Sequence, residues 1–127
     1  MKRVNQKKTI VDGYEFASMA EAGIYLDFKN DPKIELVKVH PKFTVFPGFT
    51  KKNIHGKLKK HQAITYTADF LIIEDRNMIV VEVKSKATLR ANSKSYPMRR
   101  KLFLNTHSSF YFREIIIGRK KREVKEY

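Results

Sequence analysis

The chain has 127 residues, enough for one domain with one core, and its 42% of hydrophobic residues, nine Phe and six Tyr among them, exclude a wholly disordered chain. It has no cysteine, which excludes a disulfide scaffold, a thiolate zinc site and a thiol nucleophile. Lys and Arg number 27 against 13 Asp and Glu, a net charge of +14, and a surplus of that size points to a polyanionic partner, nucleic acid above all, ahead of a solvated basic surface or an anionic membrane.

No apolar run approaches the length of a membrane span and no leader segment is evident, so a soluble, cytoplasmic protein is expected. In chain order, residues 1–8 are polar and basic and are expected to fray. Asp12-Gly13 inside Val11–Phe16 is the turn of a small hairpin. Ser18–Asn30 reads as a helix, with Ser18 as N-cap, Ile24, Tyr25 and Phe28 as its apolar stripe, and Asp31-Pro32 as its stop. Ile34–His40 alternates like a strand; Lys42–Phe46 continues extended until Pro47-Gly48. Residues 50–62 form a basic, flexible loop carrying Lys51, Lys52, Lys57, Lys59 and Lys60.

Ala63–Ile73 and Met78–Val83 are the arms of a hairpin whose turn is centred on Asp75 and Arg76, and the second arm is apolar enough to be a central strand. Lys84–Ser95 reads as a basic loop. Tyr96–Thr106 reads as a helix with Pro97 in its first turn and Met98, Leu102 and Phe103 toward the core. Phe110–Ile117 is a last strand, and 118–127 a flexible basic tail. The order predicts a single α/β domain, a central mixed β-sheet flanked by helices.

Between Leu36 and Arg113 the only acids are Asp69, Glu74, Asp75 and Glu82. Glu74 and Asp75 are ordinary turn residues; Asp69 and Glu82 fall inside predicted strands among apolar neighbours, where a carboxylate is costly unless paired or bound to a cation. The hairpin places Asp69 opposite Glu82, and two carboxylates across an antiparallel ladder repel. Two oxygen donors so placed are also what a hard divalent cation requires. Lys84, two residues beyond Glu82, leaves the same face. The trio is suited to metal-assisted hydrolysis, with Lys84 orienting a water or stabilising charge. A buried salt bridge of Lys84 with Glu82 or Asp69 is the alternative that the residues leave open.

Thr67-Ala68-Asp69 followed by Glu82-Val83-Lys84 resembles the PD-(D/E)XK nuclease signature. With Asp12-Gly13, Ser18–Ala22 and Tyr96–Phe103 in place, residues 10–117 are most similar to small phage endodeoxyribonucleases of the endonuclease I and Holliday-junction-resolvase type. Ala68 stands where the name-giving proline is expected. The resemblance implies a restriction-endonuclease-like fold and Mg²⁺, with Mn²⁺ able to substitute, held by Asp69, Glu82, the Val83 carbonyl and Glu21. It also implies Lys84 as catalytic lysine, and Glu21 as a fourth ligand or base, although Ser18-x-x-Glu21 is equally a capping box.

The activity expected is metal-dependent endonucleolytic cleavage of DNA, selective for structure such as branched DNA or Holliday junctions because nothing resembles a base-reading module. A homodimer fits such cleavage of two strands. Lys51, Lys52, Lys57, Lys59, Lys60 and Lys86 are expected on the DNA backbone. Arg99, Arg100 and Lys101 are either phosphate contacts or a solvated helix face. The four histidines show no zinc-like spacing, and Tyr66 and Phe70 are read as core. Two other readings are a non-catalytic nucleic-acid-binding accessory with a nuclease-like fold, and a basic binder with a buried salt bridge.

Overall fold

The computed structural model describes residues 8–86 and 95–127; the predicted frayed N-terminus and most of the predicted 84–95 loop lie outside them. Asp12 and Gly13 both adopt positive φ, 52° and 82°, as a two-residue hairpin turn requires, and join β1 (Thr9–Val11) to β2 (Tyr14–Phe16). Helix α1 (Met19–Asn30) begins where the Ser18 hydroxyl accepts the Glu21 N–H and ends at Asp31, before Pro32.

Five strands form the main sheet in the order β11-β10-β9-β8-β3, with β3 Ile34–Val39, β8 Phe70–Glu74, β9 Asn77–Ser85, β10 Tyr111–Ile117 and β11 Arg122–Glu126. Only β9 and β10 run parallel, so the sheet is mixed and β9 is central, as its apolar sequence requires. Asp75 and Arg76, with φ of 50° and 67°, turn β8 back into β9.

Alternation divides the core. Phe70 and Ile72 of β8, Ile79 and Val81 of β9 and Ile115 of β10 pack on one face with Phe16 and the stripe Ala22, Ile24, Tyr25 and Phe28 of α1. On the other face Leu71, Val80 and Phe112 meet Tyr96 and Phe103 of α2 (Ser95–Thr106). Met98 is half exposed rather than core-facing, and Tyr96 takes the inward position beside Phe103.

Three expectations are corrected. The run Ala63–Ile73 is two strands: β7 (Ile64–Thr67) pairs with β4 (Lys42–Phe46), and the chain changes sheet at Ala68-Asp69 before β8. Asp69 therefore sits at a strand junction. Residues 50–62 are an ordered ribbon, β5 (Phe49–Lys52) against β6 (Leu58–His61), because the tip is closed locally by Asn53 and Gly56. The tail is edge strand β11, held on β10 by Val124 opposite Ile115 and by the Arg113–Glu126 ion pair at 2.9 Å.

Glu114, one residue past the acid-poor stretch, is 2% exposed on β10. The hydroxyls of Tyr96 and Tyr127 donate to it and Arg100 lies 3.5 Å away, so this carboxylate ties α2 and the C-terminus to the sheet. Phe103, fully buried against Phe43, Tyr66 and Phe112, anchors the same layer. Phe103→Ala is expected to lower the unfolding free energy by about 3–5 kcal/mol in urea titration, and a loss under about 1 kcal/mol would place the α2 core elsewhere.

Candidate active site

The start of β8, the end of β9 and the first turn of α1 converge at one place. Parity along β9 sends Glu82 and Lys84 to the α2 side of the sheet with Val80. Asp69 precedes β8, and its backbone N–H donates to the Val81 carbonyl at 3.1 Å, which continues the hairpin by one residue and brings Asp69 opposite Glu82 as the turn register predicts. Glu21 arrives from the first turn of α1. These residues line one cleft of about 250 Å³ with Ser18, Val83 and Ser85.

Glu21 and Glu82 are buried, each 6% exposed, and Asp69 is partly buried. Asp69 Oδ2 accepts the Val83 N–H at 2.6 Å. Glu82 Oε1 accepts the Tyr66 hydroxyl, and its Oε2 lies 3.5 Å from Lys84 Nζ. Lys84 Nζ also sits 4.5 Å from the Tyr96 ring centroid, a cation–π contact that fixes the ammonium on the cleft side. Tyr96 in turn donates to Glu114, so the buried network under α2 backs the lysine.

His40 is the residue that the sequence leaves unmarked. It follows β3 at φ 54°, a left-handed conformation that histidine adopts more readily than most side chains. Its N–H donates to the Asp69 carbonyl at 2.9 Å, and its Nε2 lies 2.8 Å from Glu21 Oε1. Ligand atoms of Glu21, His40 and Asp69 all lie within 4.8 Å of one another. Glu21 thus serves the cleft through its carboxylate while its backbone N–H serves the Ser18 cap. His40 lies between β3 and β4 and Tyr66 on β7, where their partners are distant in sequence, and no local spacing signals them.

Burial, then the charges of Glu82 and Glu21, push the Asp69 carboxyl well above the ordinary carboxylate range. Burial also raises Glu82, opposed by the Tyr66 hydrogen bond and the Lys84 charge. The Tyr66 phenol is raised by burial and by Glu82, which keeps it a donor. Lys84 neutralises one carboxylate and leaves two others crowded beside it.

The remaining expected contacts divide. Lys51, Lys52, Lys57, Lys59 and Lys60 are exposed on the β5–β6 ribbon, and Lys86 is exposed 3.7 Å from Glu123. Lys101 faces solvent. Arg99 and Arg100 are turned inward: Arg99 Nε donates to the Thr65 carbonyl at 3.0 Å, and Arg100 lies between Glu114 and the rings of Tyr96 and Tyr127. Both guanidinium groups are engaged in holding α2 rather than presented to solvent.

The chain belongs to the family described as "Protein of unknown function (DUF1064)", which matches residues 1–123. No curated protein matches the chain in sequence. Among solved structures, the crystal structure of SSO0001 is similar in fold, with a TM-score of 0.50 and 18% identity over 85% of this chain and 48% of that one. The chain thus spans about half the length of SSO0001.

A carboxyl whose folded pKa exceeds its unfolded value keeps its proton in the native state where the unfolded chain has lost it. Stability then falls as pH rises from the unfolded carboxylate range, about 4, through the folded values, and the penalty is complete above them. Asp69→Asn removes one such group and keeps an acceptor for the Val83 N–H. In EDTA, its unfolding free energy relative to wild type is expected to improve from about pH 5 to about pH 8. A flat or reversed difference in urea titrations would contradict the raised carboxyl.

Proposed function

We propose that this DUF1064 protein is a divalent-metal-dependent DNA endonuclease with a restriction-endonuclease-like fold. The observation that carries the proposal is the crowding of Glu21, Asp69 and Glu82 in one cleft of a chain with net charge +14, with Lys84 as the one ammonium counter-charge among the described residues. A structural ion pair needs one carboxylate for one lysine. The second and third carboxylates are a standing cost unless a cation joins them. The order of elements supports the fold assignment: a helix bearing Glu21, then a hairpin bearing Asp69 and Glu82 on its two arms, then a helix and a parallel strand.

The donor set is of hard oxygens, which suits Mg²⁺, and the adjacent imidazole of His40 also suits Mn²⁺. Asp69, Glu82 and Glu21 would hold the ion, with the Val83 carbonyl as a further oxygen donor. A cation bound there supplies Lewis-acid charge to a phosphate oxygen and lowers the pKa of a bound water. The protein's own groups do the rest. Tyr66 fixes one Glu82 oxygen, the Val83 N–H fixes one Asp69 oxygen, and His40 orients Glu21. Lys84, held between Glu82 and the Tyr96 ring, presents its ammonium to the cleft, where it orients the attacking water or offsets charge on the phosphate.

The substrate class follows from the charge. The lysines at 51, 52, 57, 59 and 60 grip backbone phosphates without reading bases, which fits recognition of DNA shape, branched DNA included, and a homodimer that cuts two strands.

The test is cleavage of labelled four-way junction and linear duplex with Mg²⁺, Mn²⁺ or EDTA. Cutting is expected with either metal and absent in EDTA. Glu82→Ala and Lys84→Ala are each expected to lower the rate by at least about 100-fold. Absence of cutting with both metals and both substrates, with DNA still bound, would leave a nuclease-like fold acting as a binder.

A further inference from the structure

The strands β4 and β7 do not end where they leave the core. Their antiparallel pairing, Lys42 with Thr67 through Phe46 with Ile64, continues past Pro47-Gly48 into Phe49 with His61 through Lys52 with Leu58. The result is one two-stranded arm. Its root is packed through Val45 and Tyr66, and its outer half, β5 and β6, is exposed at every residue. A ribbon meant to lie on its own domain carries one apolar face. This one carries lysine on both, since Lys51 and Lys59 share a face with Phe49 and His61, while Lys52 and Lys60 share the other with Thr50 and Leu58. Lys51 stands directly opposite Lys59, a repulsion that the free arm bears. No acid occurs from Leu36 to Ala68, and none of these lysines forms an ion pair among the described residues.

The tip is built to be stiff. The Asn53 carboxamide oxygen accepts the N–H groups of His55 at 2.9 Å and Lys57 at 3.1 Å. Asn53 also exchanges backbone bonds with Gly56 and Lys57, and Gly56 supplies the positive φ of 75°. What this tip holds out, between Lys52 and Lys57, is Ile54, at 94% exposed the most exposed large apolar residue described.

We infer that the β4–β7 arm is a DNA-deforming device: it lies in the minor groove of a duplex with lysines facing both phosphate walls, and inserts Ile54 between two base pairs as a wedge. Cationic faces on both sides match the two charged walls of a groove. A stiff tip whose apolar side chain is almost wholly exposed, with Leu58 and Phe49 also exposed on the ribbon behind it, matches the wedge by which minor-groove proteins unstack a base step and bend the duplex. The arm also delivers what it grips. Its two strands enter the body beside His40 and Asp69, which are bonded to each other at 2.9 Å, and Tyr66 at its root holds Glu82. Lys42 to Ile54 spans at most about 40 Å of extended backbone, so a wedged step falls a little more than one helical turn, at most, from the arm's root beside the carboxylates. The inference deepens the proposed function by naming a bent duplex as the bound form, yet the bend requires neither metal nor cleavage.

The experiment uses the full chain in EDTA with a duplex of about three helical turns, carrying dyes at its ends and 2-aminopurine at successive steps. Binding by wild type is expected to raise energy transfer between the ends and to brighten 2-aminopurine at one step. Ile54→Ser, a change at an exposed tip, is expected to lose both signals at protein concentrations that saturate the duplex. The double variant Lys59→Gln/Lys60→Gln is expected to bind at least about tenfold more weakly and to reduce the salt slope by about 2. An A-form RNA duplex, whose minor groove is wide and shallow, is expected to bind at least about tenfold more weakly than DNA. Wild-type binding without bending, bending undiminished by Ile54→Ser, equal binding of the RNA duplex, or affinity unaffected by the lysine changes would each overturn the inference. Cutting without a bend sinks the wedge alone; a bend without cutting sinks the nuclease and leaves the wedge standing.

Discussion

Three carboxylates held in one cleft are the costliest feature of the fold, and the local architecture is arranged around that cost. Asp69 and Glu82 face each other because a two-residue turn at Asp75 and Arg76 fixes the hairpin register. Glu21 is added from a different layer by a helix whose start is fixed by Ser18. Like charges so close would separate if the backbone allowed it. It does not: β9 is the central strand, and Phe70, next to Asp69, is fully buried against Phe16 and Phe28. Packing of the apolar core therefore over-determines the polar site. That is the condition under which buried charge and left-handed backbone, as at His40, persist.

The groups around the carboxylates hold them in place more than they neutralise them. Tyr66 and the Val83 N–H each satisfy one oxygen, and Lys84 offsets part of the charge on Glu82. None of the three removes the burial and the neighbouring charges that raise Asp69. Behind Lys84, the Tyr96 ring and the Glu114 carboxylate form a second buried network that includes Arg100 and Tyr127. The two networks meet at Tyr96, so the C-terminal strand and α2 stiffen the lysine although neither lines the cleft.

How much of this can be read from the sequence depends on how far apart its partners lie. The Asp12-Gly13 turn, the Ser18 cap, and the pairing of Asp69 with Glu82 are set by contacts within a few residues or across one short turn, and each is legible. The change of sheet at Ala68-Asp69 is not. β7 and β8 read as one continuous apolar run, and only the pairing with β4 breaks it. Tyr66 and His40 become site residues through the same nonlocal pairing. The Lys-rich ribbon and tail look unstructured because their side chains are solvated on both faces; their order comes from backbone pairing and from Asn53, Gly56 and the Arg113–Glu126 contact. Glu114 is hidden by its place in an apolar run, where only its partners on α2 and at the C-terminus explain why a carboxylate is tolerated.

The arm and the cleft follow from one topological event. Between His40 and Asp69 the chain leaves the main sheet, runs out as β4 and β5, and returns as β6 and β7. The backbone bond from His40 to Asp69 closes the neck of that excursion, and a second, from the Ala68 N–H to the Pro41 carbonyl, lies directly above it. Whatever displaces the arm's root therefore acts on the two residues that position Glu21 and face Glu82. A positively charged lever rooted in an acidic cleft also answers an electrostatic difficulty. On the proposed function, the carboxylates would repel a phosphate backbone, and the lysines would attract it to the same neighbourhood without entering the cleft. In the proposed nuclease, separating attraction from chemistry in this way would let the cleft stay acidic enough to hold a cation while the molecule as a whole remains strongly basic.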